Sequence, residues 1–537
     1  MFFFVKLGKR LKMKTLLLPV ITSLLLISSC SRGQQAKENM PSAAAVPNTS
    51  PVKNHLGINA FEWDFSDQDN GMISPGKMRV MHSFGVLRHY LDWEKMEPIK
   101  GKYTFNPVSA GGWNYDMIYE RCKRDGIEVL SCIKNTPPWI YNTYPKDQRG
   151  GDNVPAPYGL SRTNPASYIS QAKAGFQFAA RYGYNKAVSR TLVTVNNIPR
   201  WPNDEMNQVK IGLGYIKYVE CDNERDKDWR GPQGHQNAEE YAANMSAYYD
   251  GHMGRLGKNA GVKTADPSMM VVMGGLSNPD VNYVIKMIEW CKKNRGYKKD
   301  GSVNLCFDVI NYHLYNNDYI PGKGYTVGKA PELSSAAKVA DQFVAMSKKY
   351  ARGMEVWITE SGYDLNPGSP QRAIAIGNKP AKITQADWML RSALLYMRHG
   401  LKRSVFYMLD DVDPNSTTQY SSGGFADGHK RRPVADYFYQ FKTLMGDFHF
   451  SKILNADPRV DVYGLGDRKI YVMFVPDEKG RTARYQLDLG SAAGAKVYTL
   501  VPGADEMRVK TMATVKGKLS LTLTETPVFV EKINSIK

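Results

Sequence analysis

From residue 55 onward, short runs of apolar and β-branched residues alternate with longer stretches of helical periodicity, the signature of repeated βα units. The predicted strands are Leu56–Ala60, Gly85–His89, Glu128–Ile133, Tyr215–Cys221, Met270–Met273, Val309–His313, Val356–Thr359 and Ser404–Met408. Between them lie predicted helices over Trp113–Lys123, Ala166–Tyr182, Ala238–Leu256, Val281–Lys293, Ala336–Lys349 and Gln385–Arg398. Eight near-continuous apolar strands with helical crossovers predict an α/β fold, a (β/α)8 TIM barrel whose strands are covered on both faces. Pro433–Leu444 supplies the last barrel helix. After it the pattern shortens to Val460–Tyr463, Lys469–Phe474, Ala483–Leu489, Lys496–Leu500, Met507–Thr511, Lys518–Leu523 and Val528–Lys532, mostly punctuated by Gly, Pro or Asp. Seven such runs predict a C-terminal β-sandwich domain. The expected organisation is a leader at 1–30, a tether at 31–50, a barrel at 51–445 and the sandwich at 446–537.

Two insertions exceed what a plain barrel needs. Tyr141–Gly159 and Asn196–Val209 fall between the third and fourth strands, and Asp364–Ile383 falls between the seventh and eighth. Barrel insertions gather where the βα loops do, so these are expected on the catalytic face.

The N-terminus reads as an address. Met13-Lys14 leads into an apolar run through Leu26 and then Ile27-Ser28-Ser29-Cys30, a secretory signal too short to span a membrane stably. Its last four residues resemble a bacterial lipobox, which implies lipidation of Cys30 and a membrane-anchored or secreted protein of the cell envelope. Residues 31–50, rich in Ser, Ala, Pro, Gln and Asn, suit a flexible tether. The other five cysteines, Cys122, Cys132, Cys221, Cys291 and Cys306, form no disulfide framework and are expected to be mostly buried thiols. The formal charge of +19 includes five residues before position 30, and the remaining cations are scattered without a basic tract. Nucleic-acid binding is therefore not expected. No CxxC pair, HExxH or comparable spacing points to a catalytic metal, and no cofactor is expected.

Two glutamates carry the chemistry. The fourth strand runs into Asp222-Asn223-Glu224, and the seventh ends at Glu360 within Thr359-Glu360-Ser361-Gly362. Both stand where a barrel strand yields to its loop, and closure of the barrel can bring them to one mouth. Glycoside cleavage with retention needs two carboxyls roughly 5–5.5 Å apart, one acid and one nucleophile.

On these residues the chain resembles clan A of the glycoside hydrolases, with a layout like families 39 and 5. The resemblance covers roughly residues 51–532. It implies a retaining glycoside hydrolase acting on a β-linked oligo- or polysaccharide, with Glu224 as acid/base and Glu360 as nucleophile. It further implies that Asn223 binds the substrate 2-hydroxyl and that Arg88, in Leu87-Arg88-His89-Tyr90, holds the nucleophile ionised. His313 and Tyr315 fall at the end of the sixth strand, where clan members place groups beside the nucleophile. Trp93-Glu94-Lys95-Met96-Glu97-Pro98 and Gly101-Lys102-Tyr103-Thr104-Phe105 also resemble a recurring stretch of these enzymes. Cys221-Asp222-Asn223-Glu224-Arg225 stands where the clan commonly has Trp-Asn-Glu-Pro. The eighth strand has no Trp, so Tyr407 or a loop residue must stand in for it; Asp410 and Asp411 either contact substrate or are surface acids. Indole rings stack on the C–H faces of sugars. Of Trp63, Trp93, Trp139, Trp201 and Trp229, the two expected to bind substrate are Trp139 and Trp229, while Trp290, Trp357 and Trp388 are expected in the core. The rival readings are a catalytically silent glycan-binding lipoprotein and a barrel enzyme acting on another substrate.

Overall fold

A computed structural model describes residues 50–67, 72–108, 112–320 and 324–533; the leader, Cys30 and all but the last residue of the tether lie outside them. The eight expected barrel strands form. They are β1 (Gly57–Ala60), β2 (Val86–Asp92), β3 (Glu128–Lys134), β4 (Tyr218–Cys221), β5 (Met270–Met273) and β6 (Ile310–His313), then, beyond a hairpin of β7 (Asn317–Ile320) and β8 (Gly324–Gly328), β9 (Val356–Glu360) and β10 (Arg403–Phe406). All the barrel pairings are parallel, in the order β5-β4-β3-β2-β1-β10-β9-β6. The ring closes between β5 and β6 through parallel bridges from Val272 to Val309 and from Leu276 to Tyr312. The result is a TIM barrel followed by a β-sandwich-like domain.

The barrel interior explains the apolar character of the strands. Leu130, Tyr218, Val272, Val309 and Trp357 fill one layer, and the Arg403 guanidinium lies over Tyr218 and Trp357. Helices cover the outside, and the last, Pro433–Met445, starts with its Pro at the first turn, where the missing N–H costs nothing. Trp290, Trp357 and Trp388 are buried, as expected. All five cysteines of the described residues are buried and unpaired. Among the described residues no helix is long and apolar enough to cross a membrane.

After a two-stranded ribbon of β11 (Ala426–Asp427) and β12 (Lys430–Arg431), the C-terminal region contributes β13 (His449–Asn455), β14 (Arg459–Leu465), β15 (Arg468–Phe474), β16 (Ala483–Asp488), β17 (Gly494–Thr499), β18 (Arg508–Ala513), β19 (Lys518–Leu523) and β20 (Val528–Ile533). β13 was not anticipated: its residues from Ser451 to Leu454 are exposed, so the strand lacks an apolar run. Six strands make one antiparallel sheet, β13-β14-β15-β20-β17-β18, and β16 pairs with β19 beside it. The larger sheet is buried on both faces. Val460, Met473 and Val530 join a core with Leu487, Leu519 and Leu523 of β16 and β19. Tyr463, Val472 and Phe529 instead join the barrel core, where Phe529 packs 5.4 Å from Phe441 of the last helix. The buried Arg398–Asp461 pair, 2.6 Å apart, ties a barrel helix to β14.

The insertions part company. The segment 141–159 lies by the catalytic face, since the main-chain oxygens of Asp152 and Asn153 accept from Arg225 just beyond Glu224. Asp364 accepts from the Tyr420 and Ser422 amides, joining the Asp364–Ile383 insertion to the loop after β10. The Asn196–Val209 segment corrects the expectation. It lies along the outer flank, with Arg200 bonded to the Trp113 carbonyl and Asn207 to Thr104, and it lines no part of the cleft. The reason is its place in the chain: it follows a helix, not a strand, so it belongs to an αβ connection.

Docking of the second domain through an aromatic core makes a measurable prediction. Phe529→Ala should cost about 3–5 kcal/mol of stability, read as a lowered urea midpoint; an unchanged midpoint would contradict this packing.

Candidate active site

The C-terminal ends of the barrel strands meet in a cleft of about 1050 Å³ lined by Asn223, Glu224, Trp229, His313, Tyr315, Glu360, Tyr407 and others. Beneath it lies Arg88, on β2 and fully buried. Its guanidinium forms a two-pronged pair with Glu220 of β4, with Nε 2.6 Å and Nη2 3.0 Å from the carboxylate oxygens. It also donates from Nη1 to Glu360 Oε1 at 2.9 Å and from Nη2 to Asn223 Oδ1 at 2.7 Å. One planar cation thereby fixes side chains of β4, β9 and the loop after β4, which a lysine could not do. Arg88 itself lines no part of the cleft; it lies beneath the lining and donates to Glu360 and Asn223.

Glu360 is buried at the end of β9. Burial would raise its pKa, but His313 and Arg88 nearby, with hydrogen bonds from Tyr90 and Arg88, outweigh that and hold it below the ordinary carboxylate value. The Tyr90 hydroxyl accepts from Arg88 at 2.7 Å and donates a short hydrogen bond to Glu360 Oε1. Tyr315 donates to the other oxygen at 3.1 Å. Both phenols are pushed up, first by burial, and so remain donors.

His313 joins the two glutamates. Its Nδ1 lies 2.7 Å from Glu224 Oε1 and 3.6 Å from Glu360 Oε1, and its Nε2 lies 3.1 Å from Thr359 Oγ1. Burial lowers the imidazole pKa, yet Glu360 and Glu224 together raise it above the ordinary value. A register shift between β6 and β9 after Tyr312 sets His313 opposite Glu360, the kind of irregularity that re-aims side chains at a strand end. Gly275 makes room for the ring, because a Cβ there would stand 2.0 Å from His313 Nε2. An oxygen of Glu224, a nitrogen of His313 and an oxygen of Glu360 all lie within 4.8 Å of one another. Such a trio could hold a divalent ion, but Arg88 and Tyr90 already donate to the Glu360 oxygen concerned and His313 already meets Glu224.

The loop carrying Glu224 is built without the Trp and Pro of the resembled clan. Asp222 and Arg225 form a buried ion pair 2.7 Å apart. Asp222 also accepts from the Asn223 amide at 2.8 Å, and the Glu224 amide donates to the Gly275 carbonyl at 3.1 Å. These bonds hold Asp222 and Glu224 at φ +67° and +52°, a region non-glycine residues seldom occupy.

The sequence-predicted residues Glu224, Glu360, Asn223, His313, Tyr315 and Trp229 come together in the cleft. Trp139 does not. Its Nε1 donates to the Glu97 carbonyl at 2.9 Å and its ring packs edge-on to Trp93, 5.7 Å away. The loop was the right one, but the indole is committed to packing. Asp411 pairs with Arg432 at 2.6 Å and Asp410 accepts from the Gly428 amide, so both brace the loop after β10. Tyr407 lines the cleft where the missing Trp was expected to have a substitute.

Glu220, Tyr90, Phe61 and Tyr420 were not singled out. Glu220 had a usable signal, an acid in the middle of a strand otherwise apolar and buried. Phe61 and Tyr420 are loop residues whose positions depend on tertiary packing: Phe61 stacks between Trp63 and Tyr90, and Tyr420 lies 4.6 Å from Tyr315.

Removal of one donor to Glu360 gives a signed test. Tyr90→Phe should raise the carboxyl pKa by about one unit, because the ionised form loses a hydrogen bond. The acid limb of the kcat/KM profile should then move to higher pH, since Glu360 protonates earlier as pH falls; an unmoved limb would show that Tyr90 does not hold the charge.

The chain is similar in fold to solved glycoside hydrolases. A family 39 glycoside hydrolase from the gut symbiont Bacteroides cellulosilyticus WH2 aligns with a TM-score of 0.59 at 17% identity, over 90% of this chain and 81% of that one. A GH30 endoxylanase from Clostridium papyrosolvens C71 aligns with a TM-score of 0.51 at 13% identity, over 91% and 98% of the two chains. The catalytic domain of GH30 xylanase C from Talaromyces cellulolyticus gives a TM-score of 0.51 at 11% identity, over 91% and 99%. No family model and no curated protein matches the sequence. At these identities the likeness establishes the architecture alone: a TIM barrel with a sandwich-like C-terminal domain.

Proposed function

We propose that the protein is a retaining glycoside hydrolase that cleaves a β-linked oligo- or polysaccharide. The observation that carries this reading is the approach of a Glu224 oxygen to within 4.8 Å of a Glu360 oxygen across one cleft, well short of the roughly 6.5–9.5 Å of an inverting pair and nearer the roughly 5–5.5 Å of a retaining one. The asymmetry of their surroundings assigns the roles. Glu360, with Arg88, Tyr90 and Tyr315 donating to it, is the charged nucleophile. Glu224, whose carboxylate meets the His313 imidazole and is partly open to solvent, is the proton donor.

In the first step the Glu360 carboxylate attacks the anomeric carbon, and Glu224 gives its proton to the departing glycosidic oxygen. In the second, Glu224 takes a proton from water as that water attacks the same carbon, and Glu360 leaves as a carboxylate. Asn223, its amide oxygen held by Arg88, leaves its NH2 to donate to a sugar hydroxyl, a contact that aids rate if it strengthens in the transition state. No cofactor takes part. The silent-binder alternative is disfavoured by the Arg88–Glu360 pair, which a site built only to capture sugar does not require. The leader and Cys30 support action at the cell envelope.

Azide separates the two roles. Glu224→Ala with azide should release a glycosyl azide of retained configuration, and Glu360→Ala one of inverted configuration. Glu360→Gln should lower turnover by a factor on the order of 10³ or more; wild-type turnover in that variant would remove Glu360 from the chemistry.

A further inference from the structure

The buried cysteines are not equivalent. Cys291 sits near the end of the helix Val281–Arg295, and Cys306 lies in the connection that leads from it to β6. They are 15 residues apart in sequence, yet their sulfurs lie 3.5 Å from one another, in contact and away from solvent. The connection achieves this by turning back on itself. Tyr297 and Val303 form an antiparallel bridge, and the Asn304 amide donates to the Gly296 carbonyl at 2.9 Å. Arg295 fastens the same turn, donating from Nε to the Asn304 carbonyl at 2.9 Å and from its two Nη atoms to Asp250 at 2.9 and 2.7 Å. Cys132, by contrast, donates from Sγ to the Asp222 carbonyl at 3.4 Å.

Two sulfurs already in contact stand close to the roughly 2.05 Å of a covalent S–S bond. Their surroundings also differ in the way that thiol–disulfide exchange uses. The hydrogen bond with Cys306 lowers the Cys291 pKa most; burial opposes it, the Arg295 charge adds to it, and the thiol ends below its ordinary value. Burial pushes Cys306 up. Cys291 is therefore the sulfur that ionises first, and a thiolate is the attacking species. The leader read from residues 1–30 supports export to the cell envelope, where disulfides form and persist, as they do not in the cytosol.

We propose that Cys291 and Cys306 are joined by a disulfide in the exported protein, with a disulfide-bearing oxidant of the envelope as electron acceptor. The inference goes beyond glycoside cleavage and rests on export, not on Glu224 or Glu360. The reaction takes place as the connection folds, before both sulfurs are shut away from solvent. The Cys291 thiolate attacks one sulfur of the oxidant's disulfide, and the oxidant's other sulfur departs as a thiolate. Cys306 then gives up its proton and attacks the Cys291 sulfur of the mixed disulfide, expelling the sulfur that remained. The two thiols lose two electrons and two protons, and the oxidant, taking up both, leaves as a dithiol. The bond closes a ring around an exposed tip: Tyr297 is 62% exposed, and Lys298, Lys299 and Asp300 are exposed beside it. A chain cut at that tip stays joined just ahead of β6, the strand that ends at His313.

The test is a thiol map of the full chain recovered from the envelope of a bacterial host. The protein is unfolded in urea with excess iodoacetamide, so that burial protects no free thiol, and digested with trypsin without reductant. Lys292, Lys293, Arg295, Lys298 and Lys299 lie between the two cysteines, so trypsin puts Cys291 and Cys306 on separate peptides. The expected result is the peptide Met287–Lys292 linked to the one that begins at Asp300, two hydrogen atoms lighter than their sum, while Cys122, Cys132 and Cys221 all carry the label. Reduction before alkylation should extend the label to Cys291 and Cys306. Brief trypsin treatment of the folded protein should cut the tip at Lys298 or Lys299, leaving fragments that separate only on reduction; in Cys306→Ser they should separate without it. Label on both Cys291 and Cys306 of the exported protein, linkage of either to a different cysteine, or wild-type fragments that part without reductant overturn the proposal. None of these readouts involves a sugar, so their failure is distinct from failure of the glycosidase reading.

Discussion

A buried guanidinium has to be neutralised where it stands, and in this protein that requirement organises the active site. Arg88 lies inside the barrel mouth with no access to water, and an unpaired cation there would be prohibitive. Glu220 neutralises it from β4, and Glu360 shares it from β9. Because Arg88 has donors left over, it also holds Asn223 and the Tyr90 hydroxyl. Glu360 is thus held below the ordinary carboxylate value in part by a charge that is itself locked by a second, fully buried acid. Such an arrangement is costly to build and poor as a stability device, which is why its presence speaks for chemistry. The Glu224 carboxylate stands outside this network and meets it through His313.

The barrel was legible because parallel strands covered on both faces must be apolar throughout, so each reads as a short dense run between helical stretches. Met270–Met273 matches in full, and most of the others differ by a residue or a few at one end. Tyr215–Lys217, expected as the start of β4, instead bonds its first two amides to the Tyr182 carbonyl at the end of the preceding helix, a tertiary contact that strand pattern does not encode. β13 escaped because half-exposed strands lack the dense run. In the site, residues anchored to strand ends were readable, since a strand end fixes direction: Glu224, Glu360, His313 and Tyr315 all converge. Trp139 was misjudged because an indole on a loop goes wherever its N–H finds a partner, here the Glu97 carbonyl.

The departures from the resembled clan have local physical answers. Where the clan sets Trp and Pro around its Asn-Glu, this chain sets Asp222 and Arg225, which pair with each other in the interior and pin the loop through the Asn223 amide and the carbonyls of residues 152 and 153. In this chain the turn is held by a buried ion pair and main-chain bonds. Arg225 in turn binds the 141–159 insertion, so an elaboration that looks peripheral in sequence braces the loop that carries Glu224. At the eighth strand, Tyr407 stands edge-on to Tyr90 at 6.2 Å, which keeps an aromatic wall beside Glu360 without an indole.

The proposed double displacement requires a covalent bond between Glu360 and the sugar. Incubation with a 2-deoxy-2-fluoro-β-glycoside bearing a good leaving group slows both steps and the second more, so the intermediate accumulates and can be found by peptide mass spectrometry. The predicted result is a single sugar adduct on the peptide containing Glu360, absent in Glu360→Gln. An adduct on a different carboxylate, or steady turnover with inversion and no adduct, would contradict the account.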